Sequence, residues 1–320
     1  MKKILLAVTA ALAITSCSQN EEFEAPSQKA EITFNTAVTR ATELNTEGLQ
    51  KNGFEIYVYN TGAATMSAEL ALPASTWMSG SATYSANWSV AGERYYWPLT
   101  DKLQFFAYSP KAGVAYTAPN GIDKGYPKFT YTVESTAAAQ KDLVIASVQD
   151  AAKKTEGATP AVSLTFKHAL TQVNIEVTKA DGYTYDISSV EMTGVKGSGV
   201  FTYTGVNTGT WEADTEATVS YTYTLGAFDA NTTAVVAGNA LMLIPQSLAG
   251  AKISISYTVE KDGSKIADNK KDIALPASTP WEFGKKILYK LSLPIGAEEI
   301  GLTATVDKWE GDTETPVPNE

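Results

Sequence analysis

Hydrophobic and polar positions alternate with period two along most of this chain. Ile32, Phe34, Thr36 and Val38 share one face of an early segment. Val162, Leu164 and Phe166 line up opposite Ser163, Thr165 and Lys167, and Val173, Ile175 and Val177 alternate with Asn174 and Glu176. The pattern returns at Ile253, Ile255, Tyr257 and Val259, and again at Ile287, Tyr289, Leu291 and Leu293. Side chains on a strand point alternately to its two faces, so each run predicts a half-buried β-strand. Asn52-Gly53, Asn120-Gly121, Asp181-Gly182 and Asp262-Gly263 interrupt the runs and are expected to supply the positive φ of tight hairpins. Helical signal is weak, and one short helix is expected over residues 135–142 (STAAAQKD), capped by Ser135.

Many short strands at this spacing predict an all-β chain of β-sandwiches. The polar, turn-rich stretch 149–160 is the expected linker, with 204–214 as a second candidate. The expected division is a signal peptide over 1–16, a tether over 17–29, an N-terminal sandwich domain over 30–160 and a C-terminal one over 161–320.

The N-terminus changes the picture by setting a compartment. Lys2 and Lys3 precede an apolar run over 4–14, the length of a signal-peptide core and short of the roughly 20 residues that span a bilayer. Ile14-Thr15-Ser16-Cys17 then reads as a lipobox, in which the Cys17 thiol accepts the lipid. Cys17 is the only cysteine, so the mature chain is expected to hold no internal disulfide. No second apolar stretch approaches a membrane span, which leaves lipid as the expected anchor, in the outer membrane and facing the cell surface.

Charge and candidate chemistry mostly exclude. The net charge is −10 with only two arginines, Arg40 and Arg94, a surface ill suited to neutralising phosphates; nucleic acid is not an expected partner. His168 is the single histidine. Zinc sites and histidine-dependent triads need partners that the composition does not supply, so the expectation is no enzyme, no cofactor and no metal. The aromatics Trp77, Tyr84, Trp88, Tyr95, Tyr96 and Trp97 read either as core packing or as a platform on which sugar rings stack.

Several segments, taken in order, resemble the fimbrillin family, the subunits of type V pili. They are the lipobox at Cys17, Thr39-Arg40-Ala41 after the first strand, Tyr95-Tyr96-Trp97-Pro98 with LQFFAYSP (103–110), Phe166-Lys167-His168-Ala169-Leu170, LMLIPQ (241–246), Trp281-Glu282-Phe283-Gly284, and a closing strand ending in Asp307-Lys308-Trp309. The resemblance implies two transthyretin-like β-sandwich domains in tandem, made as a lipoprotein precursor. It implies that an arginine-specific protease cuts between Arg40 and Ala41. The strand carrying Ile32, Phe34, Thr36 and Val38 then leaves a groove, which an extended segment of another pilus subunit fills. The implied role is a structural or adhesive pilus subunit, with a host or glycan ligand where the role is adhesive. The alternative is a surface glycan-binding lipoprotein. The tail beyond Trp309 (EGDTETPVPNE) is acidic and proline-containing, a poor donor strand.

Overall fold

A computed structural model describes residues 29–38, 44–92, 94–155, 157–215, 218–223, 234–235 and 240–309. These form twenty strands and one helix, in line with an all-β chain. The first third holds β1 (Phe34–Val38), α1 (Thr46–Asn52), β2 (Phe54–Asn60), β3 (Met78–Ser85), β4 (Asn87–Val90), β5 (Leu103–Ser109) and β6 (Val114–Thr117). There follow β7 (Lys128–Thr132), β8 (Val144–Ala151), β9 (Val162–His168), β10 (Thr171–Thr178), β11 (Thr184–Lys196), β12 (Ser198–Gly205) and β13 (Thr208–Ala213). The chain ends with β14 (Thr218–Thr222), β15 (Ala234–Val235), β16 (Leu241–Leu243), β17 (Lys252–Lys261), β18 (Ser264–Ala274), β19 (Lys285–Ser292) and β20 (Gly301–Lys308).

Four sheets result. The first runs β1-β9-β8-β5-β2-β3-β4, the second β15-β10-β19-β20 with β16 also on β10, the third β14-β11-β17-β18 and the fourth β13-β12-β7-β6. The expected strands over 32–38, 162–166, 173–177, 253–259 and 287–293 are all present, with their apolar faces buried. Every residue of β5 is buried, because the first sheet is covered on both faces. Leu103, Phe105 and Ala107 point into the core beneath β1, while Phe106 and Tyr108 join a larger core with Phe129 of β7 and Tyr203 of β12. The Tyr203 hydroxyl donates to the Ala107 carbonyl at 2.8 Å and ties the fourth sheet to the first.

Several local expectations are corrected. Residues 135–142 form a turn, closed by bonds from the Ala139 and Gln140 amides to the Thr136 carbonyl, and no helix. The helix lies instead at α1, where the Asn45 side chain caps the Gly48 amide at 2.8 Å and Leu49 is buried. Asn52-Gly53 ends that helix and makes no hairpin. Gly53 has φ 72, and a Cβ there would lie 2.5 Å from the Ala82 carbonyl oxygen, so only glycine fits. Asp262-Gly263 does make a two-residue hairpin, joining β17 to β18 with φ 52 and 77. Asn120-Gly121 sits in the longer β6–β7 connection, and Asp181-Gly182 joins strands of two different sheets. The stretch 204–214 is occupied by the β12–β13 hairpin, and β8 extends through Ala151 into the expected linker. β8 and β9 pair across residue 160, so the first sheet's connectivity runs through the expected boundary there.

Candidate functional site

β1 forms one edge of the first sheet and pairs only with β9, in parallel, over five residue pairs from Phe34↔Val162 to Val38↔Phe166. Just before it, residues 30–32 run antiparallel to 95–97. The Ile32 amide donates to the Tyr95 carbonyl at 2.8 Å and the Trp97 amide donates to the Ala30 carbonyl at 2.9 Å. The segment is therefore clasped from both sides, by β9 along one edge and by the stretch after β4 along the other. The two ends of the curled sheet also meet through side chains: Trp88 Nε1 of β4 donates to Thr36 Oγ1 of β1 at 3.0 Å, in a buried position. At the rim, Arg94 pairs with Glu31 at 3.2 Å, with most of the arginine side chain in solvent.

Ile32, Phe34, Thr36 and Val38 are all buried, as the alternation predicts; Ala37 is buried as well. The Phe34 ring meets Phe54 and Phe105 edge-on, each with centroids 6.2 Å apart. Phe54 in turn packs on Trp88 at 4.7 Å and on Phe166 at 5.3 Å. Removal of this strand would open an apolar groove floored by Phe54, Phe105, Phe166 and Trp88. A cleft of about 260 Å³ already remains beside Ile32 and Phe34, bounded by Met78, Trp88, Val90 and Tyr95. Pattern reading found the buried face. It did not find the partner strand, the Trp88–Thr36 bond or the 95–97 clasp, which depend on contacts distant in sequence. Cys17, Arg40 and Ala41 lie outside the described residues.

The aromatics weighed as a sugar platform separate. Trp88 and Trp97 enter the core beneath β1, whereas Trp77 is 40% exposed and Tyr96 37%. His168 is fully buried. Its Nδ1 lies 2.7 Å from an Asp142 carboxylate oxygen, and its ring stacks on Trp309 at 4.5 Å and 4° between planes. This pair joins the end of β9 to the residue that closes the last strand. Among the described residues no three His, Cys, Asp or Glu side chains cluster as metal ligands, and no helix is long and apolar enough to cross a membrane.

The larger core is rich in tyrosine. Tyr57 and Tyr116 stack at 3.7 Å, and the Tyr59 and Tyr116 hydroxyls lie 2.7 Å apart. Burial pushes the Tyr59 hydroxyl up to about 12, against a smaller opposing effect of its bond to Tyr116. Burial raises Tyr116 further, with the neighbouring Tyr59 adding to the shift. This arrangement holds strands together.

Comparison with known proteins places this geometry. The model of the fimbrillin-like family matches residues 39–309. The chain belongs to the fimbrillin-like family. It is 29% identical to the fimbrium subunit Fim1C of Phocaeicola vulgatus over 378 aligned positions, covering 98% of each chain. It also shares its fold with the crystal structure of a fimbrial protein from Bacteroides vulgatus. That match has a TM-score of 0.67 and 22% identity, and covers 87% of this chain and 99% of the other. The fimbrillin-like span begins directly after β1 and ends at Trp309, so the clasped first strand stands outside it.

Proposed function

We propose that this fimbrial subunit is made as a precursor anchored to the outer membrane through a lipid on Cys17. An arginine-specific protease trims it between Arg40 and Ala41, and it enters a cell-surface pilus when an extended segment of another subunit takes the place of β1. The observation that carries this reading is the character of β1: an edge strand whose buried face is apolar but for Thr36, lying outside the family's matched span. Burial of Ile32, Phe34 and Val38 contributes roughly 1.5–3 kcal/mol each, enough to keep the strand seated while it is covalently attached. Cleavage turns it into a separate peptide and removes that high effective concentration. A donor strand that restores the same backbone pairing and fills the same pockets then displaces it. Until then β1 covers a sheet edge that would otherwise template aggregation.

The tandem transthyretin-like domains belong to this reading. β9 pairs within the sheet of β1, which carries the first of them past residue 160, and the pairing of β7 with β12 ties the two together.

The test compares the wild type with Arg40→Ala after treatment with an arginine-specific protease. With Arg94→Lys in both chains, the wild-type Arg40 chain should lose its N-terminal segment and become competent for assembly, and Arg40→Ala should stay intact and monomeric. Assembly of the uncut wild type, or equal assembly of both, rules out the switch. Cys17→Ser should release the precursor from membranes; retention with lipid labelling would refute the anchor.

A further inference from the structure

The pockets that β1 fills are not interchangeable. Phe34 sits between the edges of Phe54 and Phe105, in a space that takes an aromatic ring. Two residues on, Thr36 gives Trp88 Nε1 its acceptor in a buried position, at 3.0 Å. Ile32 and Val38 fill the two ends of the groove. Departure of β1 therefore strips an aromatic pocket of its ring and removes the acceptor of the Trp88 indole N–H, which the incoming strand buries again; an unmet buried donor is costly. A replacement strand that only matched the apolar alternation would leave that donor unpaired.

We infer, on the strand-exchange reading above, that the groove selects its donor by a four-position pattern. Reading along β1's direction, parallel to β9, the pattern is apolar, aromatic, hydrogen-bond acceptor, apolar at alternate residues, with Trp88 reading the acceptor position. The partner is an extended segment of a different polypeptide carrying that pattern. The chain's own last strand does not carry it. With Ile300 at the first position, the register puts Leu302 at the aromatic position, Ala304 at the acceptor position and Val306 last. Shifting the register by two residues puts Ala304 at the aromatic position and Val306, which has no acceptor atom in its side chain, at the third. A second copy of this chain offering that face of β20 would thus leave Trp88 Nε1 unsatisfied, and offering the other face with Thr303 or Thr305 as acceptor would put Gly301 or Thr303 in the aromatic pocket, which favours a heterologous neighbour.

The experiment uses the full-length chain carrying Arg94→Lys, so that Arg40 is its one arginine, cut by an arginine-specific protease. Fluorescein-labelled peptides then compete for the groove. One has the sequence of residues 30–38, two carry Thr36→Val or Phe34→Ala in that sequence, and a fourth has the sequence of residues 301–309. Relative to the first peptide, Thr36→Val should bind about tenfold more weakly, the fold-change expected for one orphaned buried donor. Phe34→Ala should bind more than about a hundredfold more weakly, and the 301–309 peptide should not displace it. On a Trp88→Phe chain, the first two peptides should bind within about twofold of each other. Equal binding of those two to the chain with Trp88 overturns the acceptor rule, and tight binding of the 301–309 peptide overturns the heterologous partner. Failure of every peptide to enter sinks the exchange reading instead. The pattern is then judged in the uncut chain by a Thr36→Val and Trp88→Phe double-mutant cycle, in which additivity overturns it and coupling upholds it.

Discussion

β1 and β20 both edge a sheet, one near each end of the described chain, and they are held by opposite means. β1 has five residues, pairs in parallel with β9, and buries nearly all its side chains. β20 has eight residues and keeps an unbroken antiparallel register with β19 from Ser292↔Gly301 to Lys285↔Lys308, yet it exposes both faces. Backbone hydrogen bonds contribute only modestly net of the water they displace, whereas apolar burial contributes in proportion to area. The shorter strand is therefore anchored by its side chains. The longer one is anchored by its ladder and by Trp309, buried against His168 immediately after it. An edge strand built for exchange needs the first arrangement: a few deep pockets that a competing segment can fill in the same way.

The sharpest way to break this comparison is Phe34→Ala. The ring is 2% exposed and contacts two other rings, so its loss should cost about 3–5 kcal/mol, read as a lowered urea midpoint. A cost under about 1 kcal/mol would mean that β1 is not held by its side chains. Trp309→Ala comes next, at about 3 kcal/mol, near the bottom of the same range. Trp309 Nε1 is buried with no hydrogen-bond partner among the described residues, so truncation also relieves an unmet donor. Its distinctive sign should be faster amide exchange along β20 than along β1.

The contrast between the two strands was half legible in the sequence. Ile32, Phe34 and Val38 announce a buried face because period-two alternation reports burial directly. The alternation at Leu302, Ala304 and Val306 looks similar, but only Leu302 packs against the larger core, while Ala304 and Val306 are exposed. Which strand pairs with which is a long-range property, so the parallel β1–β9 contact, 128 residues apart in register, left no local trace. α1 had a readable signature, Asn45 as cap and Gly53 as stop, but Asn52-Gly53 read as the turn of a hairpin instead. The Trp88–Thr36 bond was invisible, because threonine on a strand's inner face looks like an ordinary β-former until its neighbour is known.

Alkali should separate the two cores themselves. Among the described residues the core beneath β1 holds no fully buried tyrosine, only Tyr84 and Tyr95 at its margin, whereas the larger core contains many. Tyr59, Tyr221 and Tyr257 are each pushed up to about 12, chiefly by burial. A raised folded value means that the unfolded chain loses its proton first. Stability is complete below about pH 10 and falls as pH rises from there toward 12. Tyr59→Phe should remove about 1 kcal/mol of the loss seen at pH 11, measured as the difference between urea unfolding at pH 8 and pH 11. An unchanged pH difference would mean that the Tyr59 hydroxyl titrates as freely in the folded chain as in the unfolded one.

The smallest expected effect falls on β20. Val306 is 46% exposed and faces Ile287 across the ladder. Threonine has the same branched shape and a similar preference for strands, and its hydroxyl remains in water at such a site. Val306→Thr should therefore shift stability by no more than about 0.5 kcal/mol, against about 3–5 kcal/mol for Phe34→Ala. Urea unfolding at two protein concentrations tests the point fully. A small shift at both concentrations supports an open, ladder-held strand. A loss above about 1 kcal/mol that grows with protein concentration would mean that another molecule covers β20's face in solution. The exposed strand would then be a second apolar contact, and the distinction between a side-chain-held edge and a ladder-held edge would fail at its weaker member.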